Sequence, residues 1–262
     1  MTEPLLLRTD RDHIAVLTLN SPTNFNALSD EMLAALSAEI TRLSQDRSIR
    51  AVVLKGAGKA FCAGHDLRQM QSHRGDADKG AAYYQSLFAN CAAMMQSLQA
   101  LPQITIAQVH TIATAAGCQL AASCDMVVAA AGTRFGVNGI NIGLFCSTPM
   151  VALSRKVPPA VAFEMLSTGE FISADRARDV GLVNRVSAPE DLEAETMKLA
   201  VTVAGKLGKA SRIGKAAFYD QLPLTTAEAY ALTGRAMVEN MLDADTDEGI
   251  CAFLEKRPPN WG

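Results

Sequence analysis

Hydrophobic positions in the first 45 residues change from a strand pattern to a helix pattern. Residues 5–20 contain two runs of strand-forming residues around a polar turn, which predicts a β-hairpin. In residues 30–44, apolar side chains recur every three or four positions, which predicts an amphipathic helix. Ser29 is the predicted N-cap of this helix, and Asp30 and Glu31 suit its positive N-terminal end.

The middle of the chain repeats an order of strand, loop and helix. Short, nearly all-apolar strands are predicted at 51–56, 103–109 and 125–131. Strands of this kind are buried on both faces, so the pattern indicates an α/β domain. Strand patterns stop near Pro189 and helical patterns follow.

The change at this point predicts two regions. Residues 1–188 form the α/β core, and residues 189–262 form a helical region that packs on the core or on a neighbouring subunit.

Composition and charge limit the classes of partner. The 262 residues include 49% hydrophobic and 19% charged side chains, with a net charge of −3. A chain of this length can bury a sizeable core, and it has no basic excess for binding nucleic acid. No apolar run approaches the roughly 20 residues that span a bilayer. We therefore expect neither a nucleic-acid partner nor a membrane span.

Cysteine spacing and the N-terminal sequence bear on the compartment. The six cysteines are scattered, without a CxxC pair or histidines at metal-ligand spacing, which predicts reduced thiols and no metal site. The first residues lack the pattern of a secretory signal or an arginine- and serine-rich transit peptide. A cytoplasmic location is the expectation.

Two short stretches, FCAGHD and TAAGCQ, place small residues where an apolar strand gives way to a loop or helix. The first N–H groups of a helix have no partner within it, so such junctions can offer donors to an anionic oxygen. Two converging junctions would form an oxyanion hole. The alternative is that glycine and alanine only permit tight turns.

Five segments carry a family resemblance. KAFCAGHDLRQM, VHTIATAAGCQLAASCDMVVAA, RFGVNGINIGLF, FISADRARDVGLVNRV and AFLEKRPPNW resemble, in order, motifs of the crotonase (enoyl-CoA hydratase/isomerase) superfamily. Within it, TAAGCQLAASCD and NIGLFCSTP most resemble the group of enoyl-CoA hydratase domain-containing protein 3. The resemblance runs from about residue 5 to the end of the chain.

The resemblance implies a ClpP-like spiral of ββα units with a helical C-terminal trimerisation region. It also implies a homotrimer, or a hexamer of two trimers, that binds an acyl-CoA thioester. Coenzyme A enters as part of the substrate, and no separate cofactor is expected. The N–H groups that polarise the thioester carbonyl map to His65, after Gly64, and to Ala116, before Gly117.

Further positions are implied to bind coenzyme A. Backbone carbonyls of Ala63 and His65 would hold the adenine, and Arg68 would lie near the phosphates. Phe253 and Lys256 would reach the ligand from the C-terminal helix, often that of a neighbouring subunit. For Arg68 and Lys256, the alternative is a solvated cation on a helix.

The sequence departs from the family at its two catalytic glutamates. Their positions carry Gln119, which cannot take a proton, and Gly139, which has no side chain. General acid–base catalysis contributes about 10² to 10⁴ in rate, and each oxyanion donor about 10² to 10³. We therefore expect inefficient hydration by the usual route, while polarisation of the thioester is retained.

Other side chains are candidates for chemistry, each with a structural alternative. His65 beside Asp66 could transfer a proton or could form a structural turn pair. Cys146 could act at the acyl group or be a buried, inert thiol. Asn138 and Asn141 could bind a polar acyl group or satisfy turn backbone.

Three functions stay open at this point. The first is a nominal enoyl-CoA hydratase/isomerase with a substitute acid–base group. The second is a malonyl-type decarboxylase, because AGHD is also the form in methylmalonyl-CoA decarboxylase, although that enzyme has tyrosine where this chain has Cys146. The third is an acyl-CoA binding protein without catalysis.

Overall fold

Six strands form the main sheet of the computed structural model, which describes residues 3–260. Their spatial order is β1 (Leu6–Arg11), β2 (Ile14–Leu19), β3 (Ala51–Gly56), β4 (Ile104–Val109), β6 (Met126–Ala130) and β9 (Arg185–Ser187). β1 and β2 pair antiparallel, which confirms the predicted hairpin, and the remaining pairs are parallel.

A second sheet was not indicated by the hydrophobic pattern. Its three strands are β5 (Ile112–Thr114), β7 (Arg134–Gly136) and β8 (Ile172–Ser173). Only two residues separate β4 from β5, and one of them, Thr111, has a φ of 57°. The chain thus turns from one sheet into the other before the next helix starts. Strands of three residues are too short to give a periodic signal in the sequence.

Seven helices precede β9 in the described part of the chain: α1 (Asp30–Gln45), α2 (Leu67–Ser72), α3 (Ala81–Gln99), α4 (Ala116–Ser123), α5 (Pro149–Leu153), α6 (Pro159–Thr168) and α7 (Ala174–Asp179). The Ser29 side chain accepts a hydrogen bond from the Met32 N–H, which confirms the predicted cap of α1. α1 packs against α3 on one side of the main sheet.

Alternate residues of the central strands enter two different cores. Val52 and Leu54 belong to the larger core, which includes α1, α3 and α4. Ala51 and Val53 face the opposite side and belong to a smaller core. This alternation explains why β3 is apolar at successive positions.

The C-terminal helices are α8 (Leu192–Ala204), α9 (Gly208–Gln221), α10 (Thr226–Met241) and α11 (Ala244–Glu255), with no further strand up to residue 260. α8 covers the second face of the main sheet, where Leu199 and Ala200 are buried. This first helix after residue 188 is therefore part of the core.

A buried ion pair fixes α9 to the amino-terminal edge of the main sheet. Lys215 Nζ donates to the Asp125 carboxylate at 2.7 Å and to the Gln103 carbonyl at 2.8 Å. The Tyr219 hydroxyl donates to the other Asp125 oxygen at 2.8 Å, and the Thr105 N–H donates to the same oxygen as Lys215. Because Asp125 follows α4, the contact also fixes the end of that helix.

The outer surfaces of α10 and α11 carry large apolar side chains. Tyr230, Leu242 and Phe253 are 76%, 82% and 81% exposed. Contiguous apolar surface of this kind marks interaction sites. None of the helices within residues 3–260 combines the length and the apolar character that crossing a membrane requires.

Candidate active site

The loop after β3 meets the start of α4 at Gly64. This glycine has a φ of +93°, and a Cβ at its position would lie 2.9 Å from the Ala115 Cβ and 3.2 Å from the Ala116 nitrogen. Only glycine allows both this conformation and this close approach. The two stretches singled out in the sequence, FCAGHD and TAAGCQ, are therefore in contact.

Backbone hydrogen bonds hold the two stretches together. The Thr114 N–H donates to the Cys62 carbonyl at 3.1 Å, which joins the two stretches. The Leu28 N–H donates to the Gly64 carbonyl at 2.7 Å, which ties the first stretch to the residues before α1. Gly117 completes the contact, since a Cβ there would lie 2.2 Å from the Cys62 oxygen. The glycines at positions 64 and 117 are thus both required by close packing.

Ala115 has a strained backbone immediately before α4. It has a φ of 50° and a ψ of −121°, a conformation that costs a non-glycine residue on the order of 1–3 kcal/mol. Ala116 is then the first residue of α4, where an N–H group has no helical partner. Within residues 3–260, neither the His65 N–H nor the Ala116 N–H has a protein acceptor. Two adjacent free donors can bind one oxygen.

Gln119 lies three residues after Ala116 and therefore on the same face of α4. The residue is only 5% exposed, and its amide oxygen is buried without a hydrogen-bond partner in the described chain. An unsatisfied buried polar atom costs about 1–3 kcal/mol, so this amide packs less favourably than an apolar side chain of the same shape.

The position that the resemblance assigns to the second family glutamate is closed. Gly139 is the second residue of a turn of 3₁₀ helix (Asn138–Ile142), and a Cβ on it would lie 2.2 Å from the Leu144 oxygen. The Cys146 Sγ would be 2.9 Å from the same atom. A side chain at 139 therefore requires movement of the loop that follows.

Cys146 is buried beside Gly139, and burial raises the pKa of its thiol. The thiol is therefore neutral at pH 7, which favours the inert alternative over a nucleophile or base.

The imidazole of His65 faces apolar surroundings. Its Nδ1 lies 3.4 Å from the Leu28 oxygen, and the ring meets the Phe88 ring edge-on at 5.7 Å between centroids. Burial lowers the pKa of His65, so the ring is neutral at pH 7. Its Nε2 is buried without a partner among the described residues.

Asp66 serves as the N-cap of α2. Its carboxylate accepts hydrogen bonds from the Arg68 and Gln69 N–H groups at 2.9 and 3.2 Å. In the described chain no hydrogen bond joins it to His65. The structure therefore favours the turn-forming alternative for this pair.

The two asparagines near Gly139 bind protein groups. Asn138 Oδ1 accepts from the Thr114 hydroxyl at 2.5 Å, and Asn141 Nδ2 lies 3.5 Å from the Gly169 oxygen. These contacts favour a structural role, in which the two side chains join this turn to β5 and to the end of α6.

The cations and the aromatic residue assigned to coenzyme A are on the surface. Arg68 is exposed on α2 and has no ion-pair partner within residues 3–260. Phe253 is exposed on α11, and Lys256 ends this helix with a φ of 55°. Ala63 is half-buried, and its N–H donates to the Phe25 carbonyl. Their contacts to a ligand stay predictions.

Two features of the site were missed in the sequence: the strained backbone of Ala115 and the closure of Gly139 by Leu144. Alanine gives no sequence signal for a positive φ, and the closing contact depends on a loop conformation. Residues 3–260 contain no group of three or more histidine, cysteine, aspartate or glutamate side chains placed to hold a metal ion.

Relatives and solved structures cover nearly the whole chain. The chain is 53% identical to an enoyl-CoA hydratase structure from Mycobacterium smegmatis, with a TM-score of 0.95 and 99% of both chains covered. It is 40% identical to the structure of human enoyl-CoA hydratase domain-containing protein 3, with a TM-score of 0.93, over 98% of this chain and 100% of that one. The mouse mitochondrial relative of that name is 42% identical over 99% of this chain and 85% of its own length.

The prediction of a cytoplasmic location is wrong by this comparison. Relatives that are 39–42% identical, from frog, mouse, human, rat and zebrafish, are all named mitochondrial. Composition and scattered cysteines indicate an aqueous, reducing environment, which does not by itself identify a compartment.

The comparison of sequences and the comparison of folds identify the same family. The described ββα units and parallel main sheet match the crotonase fold of the solved structures, as the resemblance implied. The family model for enoyl-CoA hydratase/isomerase matches residues 9–262. The chain therefore belongs to the enoyl-CoA hydratase/isomerase family.

Proposed function

We propose that this protein binds an acyl-CoA thioester and polarises its carbonyl through the N–H groups of His65 and Ala116. The observation that carries the proposal is the contact of Gly64 with Ala115 and Ala116, because the Ala116 N–H lies beside Gly64, and neither it nor the N–H of the next residue, His65, has a protein acceptor within residues 3–260. Negative charge that develops on the thioester oxygen is stabilised by both donors, each contributing about 10² to 10³ in rate.

Chemistry on the polarised thioester would proceed without the two carboxylates of a typical hydratase. Gln119 is neutral, and Gly139 leaves no space for a side chain. We therefore expect this protein to add water about 10² to 10⁴ times more slowly than a hydratase that has both carboxylates. The protein is a hydratase/isomerase-type enzyme by family, with altered acid–base chemistry.

Assembly into a trimer or hexamer completes the ligand site in this proposal. The exposed apolar surface of α10 and α11, with Leu242 and Phe253, supports burial against another subunit. Phe253 and Lys256 of a neighbour, together with Arg68, would then contact coenzyme A.

The test separates binding at the two donors from general folding. Gly64→Ala places a methyl group against Ala115 and Ala116, whereas Gly132→Ala introduces a similar φ strain, at +81°, into open space. We expect the native protein and Gly132→Ala to bind butyryl-CoA saturably, and we expect Gly64→Ala to bind it at least tenfold more weakly. Equal binding by all three would overturn the proposal, as would no binding by the native protein.

A further inference from the structure

The helix α4 joins the proposed thioester donor to a buried ion pair at its opposite end. It runs from Ala116, which carries the donor N–H, to Ser123, and all eight of its residues are buried. Eight helical residues span about 12 Å. Asp125, two residues after the last residue of α4, is the acidic member of the ion pair.

The Asp125 carboxylate has partners on both of its oxygens. One oxygen accepts hydrogen bonds from Lys215 Nζ at 2.7 Å and from the Thr105 N–H and hydroxyl at 2.6 and 2.9 Å. The other oxygen accepts from the Tyr219 hydroxyl at 2.8 Å. Lys156 Nζ donates to the backbone carbonyl of the same aspartate at 3.0 Å. Asp125 is therefore held at once by β4, by α9 and by the loop after α5.

The two side chains of α9 supply direction as well as contact. Lys215 is 7% exposed, and it donates to the Gln103 carbonyl at 2.8 Å as well as to Asp125. Apolar contacts are non-directional, and a buried ion pair adds little net stability over apolar side chains of the same volume. What the ion pair and the Tyr219 hydroxyl add is one allowed arrangement of α9 against the end of α4.

The first end of α4 depends on such an anchor. Ala115 has a φ of 50° and a ψ of −121°, which an alanine keeps only where its surroundings impose this conformation. Its N–H donates to the Gly136 carbonyl at 2.9 Å, which fixes the chain before the helix. The place of the helix itself is fixed from its far end. Because protein interiors are close-packed, a displacement at that end is passed along the buried helix toward Ala116.

We infer that Lys215 and Tyr219 are positioning residues for the proposed oxyanion hole. Through Asp125 they fix where α4 lies, and α4 carries the Ala116 N–H. The inference rests on the proposed function, because it requires this N–H to be a thioester donor. The helical C-terminal region thus contributes to the site of its own chain without touching the ligand.

The carbonyl stretch of bound butyryl-CoA, labelled with ¹³C at the thioester, reports how well the donors are placed. We expect the native protein to lower this frequency relative to water. Tyr219→Phe removes one hydrogen bond and keeps the ring and the ion pair, whereas Lys215→Met removes the ion pair. At saturating ligand, we expect each variant to keep less than half of the native shift.

Arg8→Met separates positioning from a general loss of stability. Arg8 pairs at 2.9 Å with the buried Glu39, and it lies on β1, with three strands of the main sheet between it and β6. This variant also leaves a buried carboxylate without a cation, but far from α4. We expect it to lose stability and to keep the full shift, at a temperature where circular dichroism shows every variant to be folded.

The outcomes distinguish this inference from the function on which it rests. A full shift in Tyr219→Phe and Lys215→Met would overturn the inference and leave the two residues a structural role only. An equal reduction in Arg8→Met would also overturn it. If Lys215→Met does not fold, the result for Tyr219→Phe decides. If the native protein does not lower the frequency, the proposed function itself fails.

Discussion

The carbonyl oxygen of Leu144 lies where a side chain on Gly139 would have to begin, 2.2 Å from the position of its Cβ. The Leu144 N–H donates to the Gly139 carbonyl at 2.9 Å, so the two residues are fixed to each other. By the mapping that the resemblance implies, the place of the second glutamate therefore differs in shape as well as in charge. Any side chain introduced at 139 would meet this oxygen.

Gly139→Ala should reduce the free energy of unfolding by about 2 kcal/mol, because the new methyl group overlaps a backbone oxygen that cannot rotate away. Urea unfolding measures the change. Gly75→Ala is the control, since its Cβ meets nothing within 4 Å, and it should be neutral. A Gly139→Ala protein as stable as this control would show that the loop containing Leu144 is not fixed against position 139.

Gln119→Glu should raise the rate of crotonyl-CoA hydration at least tenfold, because it supplies one carboxylate beside the proposed thioester donors. Burial should place the pKa of this new carboxyl above its usual range, so the gain should grow as the pH rises through that pKa. Initial rates across pH 5 to 8 measure both effects. The exposed Gln45→Glu control should show neither, and an equal gain in that variant would contradict the account.

His65 should make stability depend on pH in a defined window. Burial lowers its pKa in the folded protein below the value of about 6.5 in the unfolded chain. The unfolded state then binds more protons in this range, so stability is full above pH 6.5 and falls as the pH drops toward the folded pKa. His65→Gln should lose less stability than the native protein between pH 7 and 5.5, measured by urea unfolding. His13→Gln, at an exposed position, is the control and should lose as much stability as the native protein. If His65→Gln also loses as much as the native protein, the imidazole of His65 is not buried and neutral.

Lys215→Met should destabilise the protein by about 3 kcal/mol, because it leaves the buried Asp125 carboxylate without its cation. Chemical denaturation measures the change. Lys198→Met removes an exposed cation near Glu195 and should change stability by less than about 0.5 kcal/mol. Similar values for the two variants would mean that Lys215 does not stabilise the contact of α9 with the sheet.

Elements with a long local pattern could be predicted from the sequence. The hairpin, the strand at Ala51–Gly56 and the capped helix at Asp30–Gln45 each carry a period, an apolar run or a capping side chain of their own. The short strand Ile112–Thr114 has no such signal, because its conformation is set by pairing with Arg134–Gly136.

The site could be predicted only where its residues carry a local sequence signal. Glycines at 64 and 117 indicated a close backbone approach, which the structure contains. The positive φ of Ala115 opposes the preference of alanine and is imposed by its surroundings, including its N–H bond to the Gly136 carbonyl. An aspartate directly before a helix indicates an N-cap, and Asp66 has this role. Its position next to His65 in the sequence also allowed a catalytic interpretation.

Vibrational spectroscopy of a bound ligand reports whether the N–H groups of His65 and Ala116 polarise a thioester carbonyl. With butyryl-CoA labelled by ¹³C at the thioester carbonyl, the account predicts a C=O stretch at lower frequency in the complex than in water, because two fixed donors replace mobile ones. The shift should persist in Gly132→Ala and be lost in Gly64→Ala. A bound ligand whose carbonyl frequency equals that in water would contradict the account.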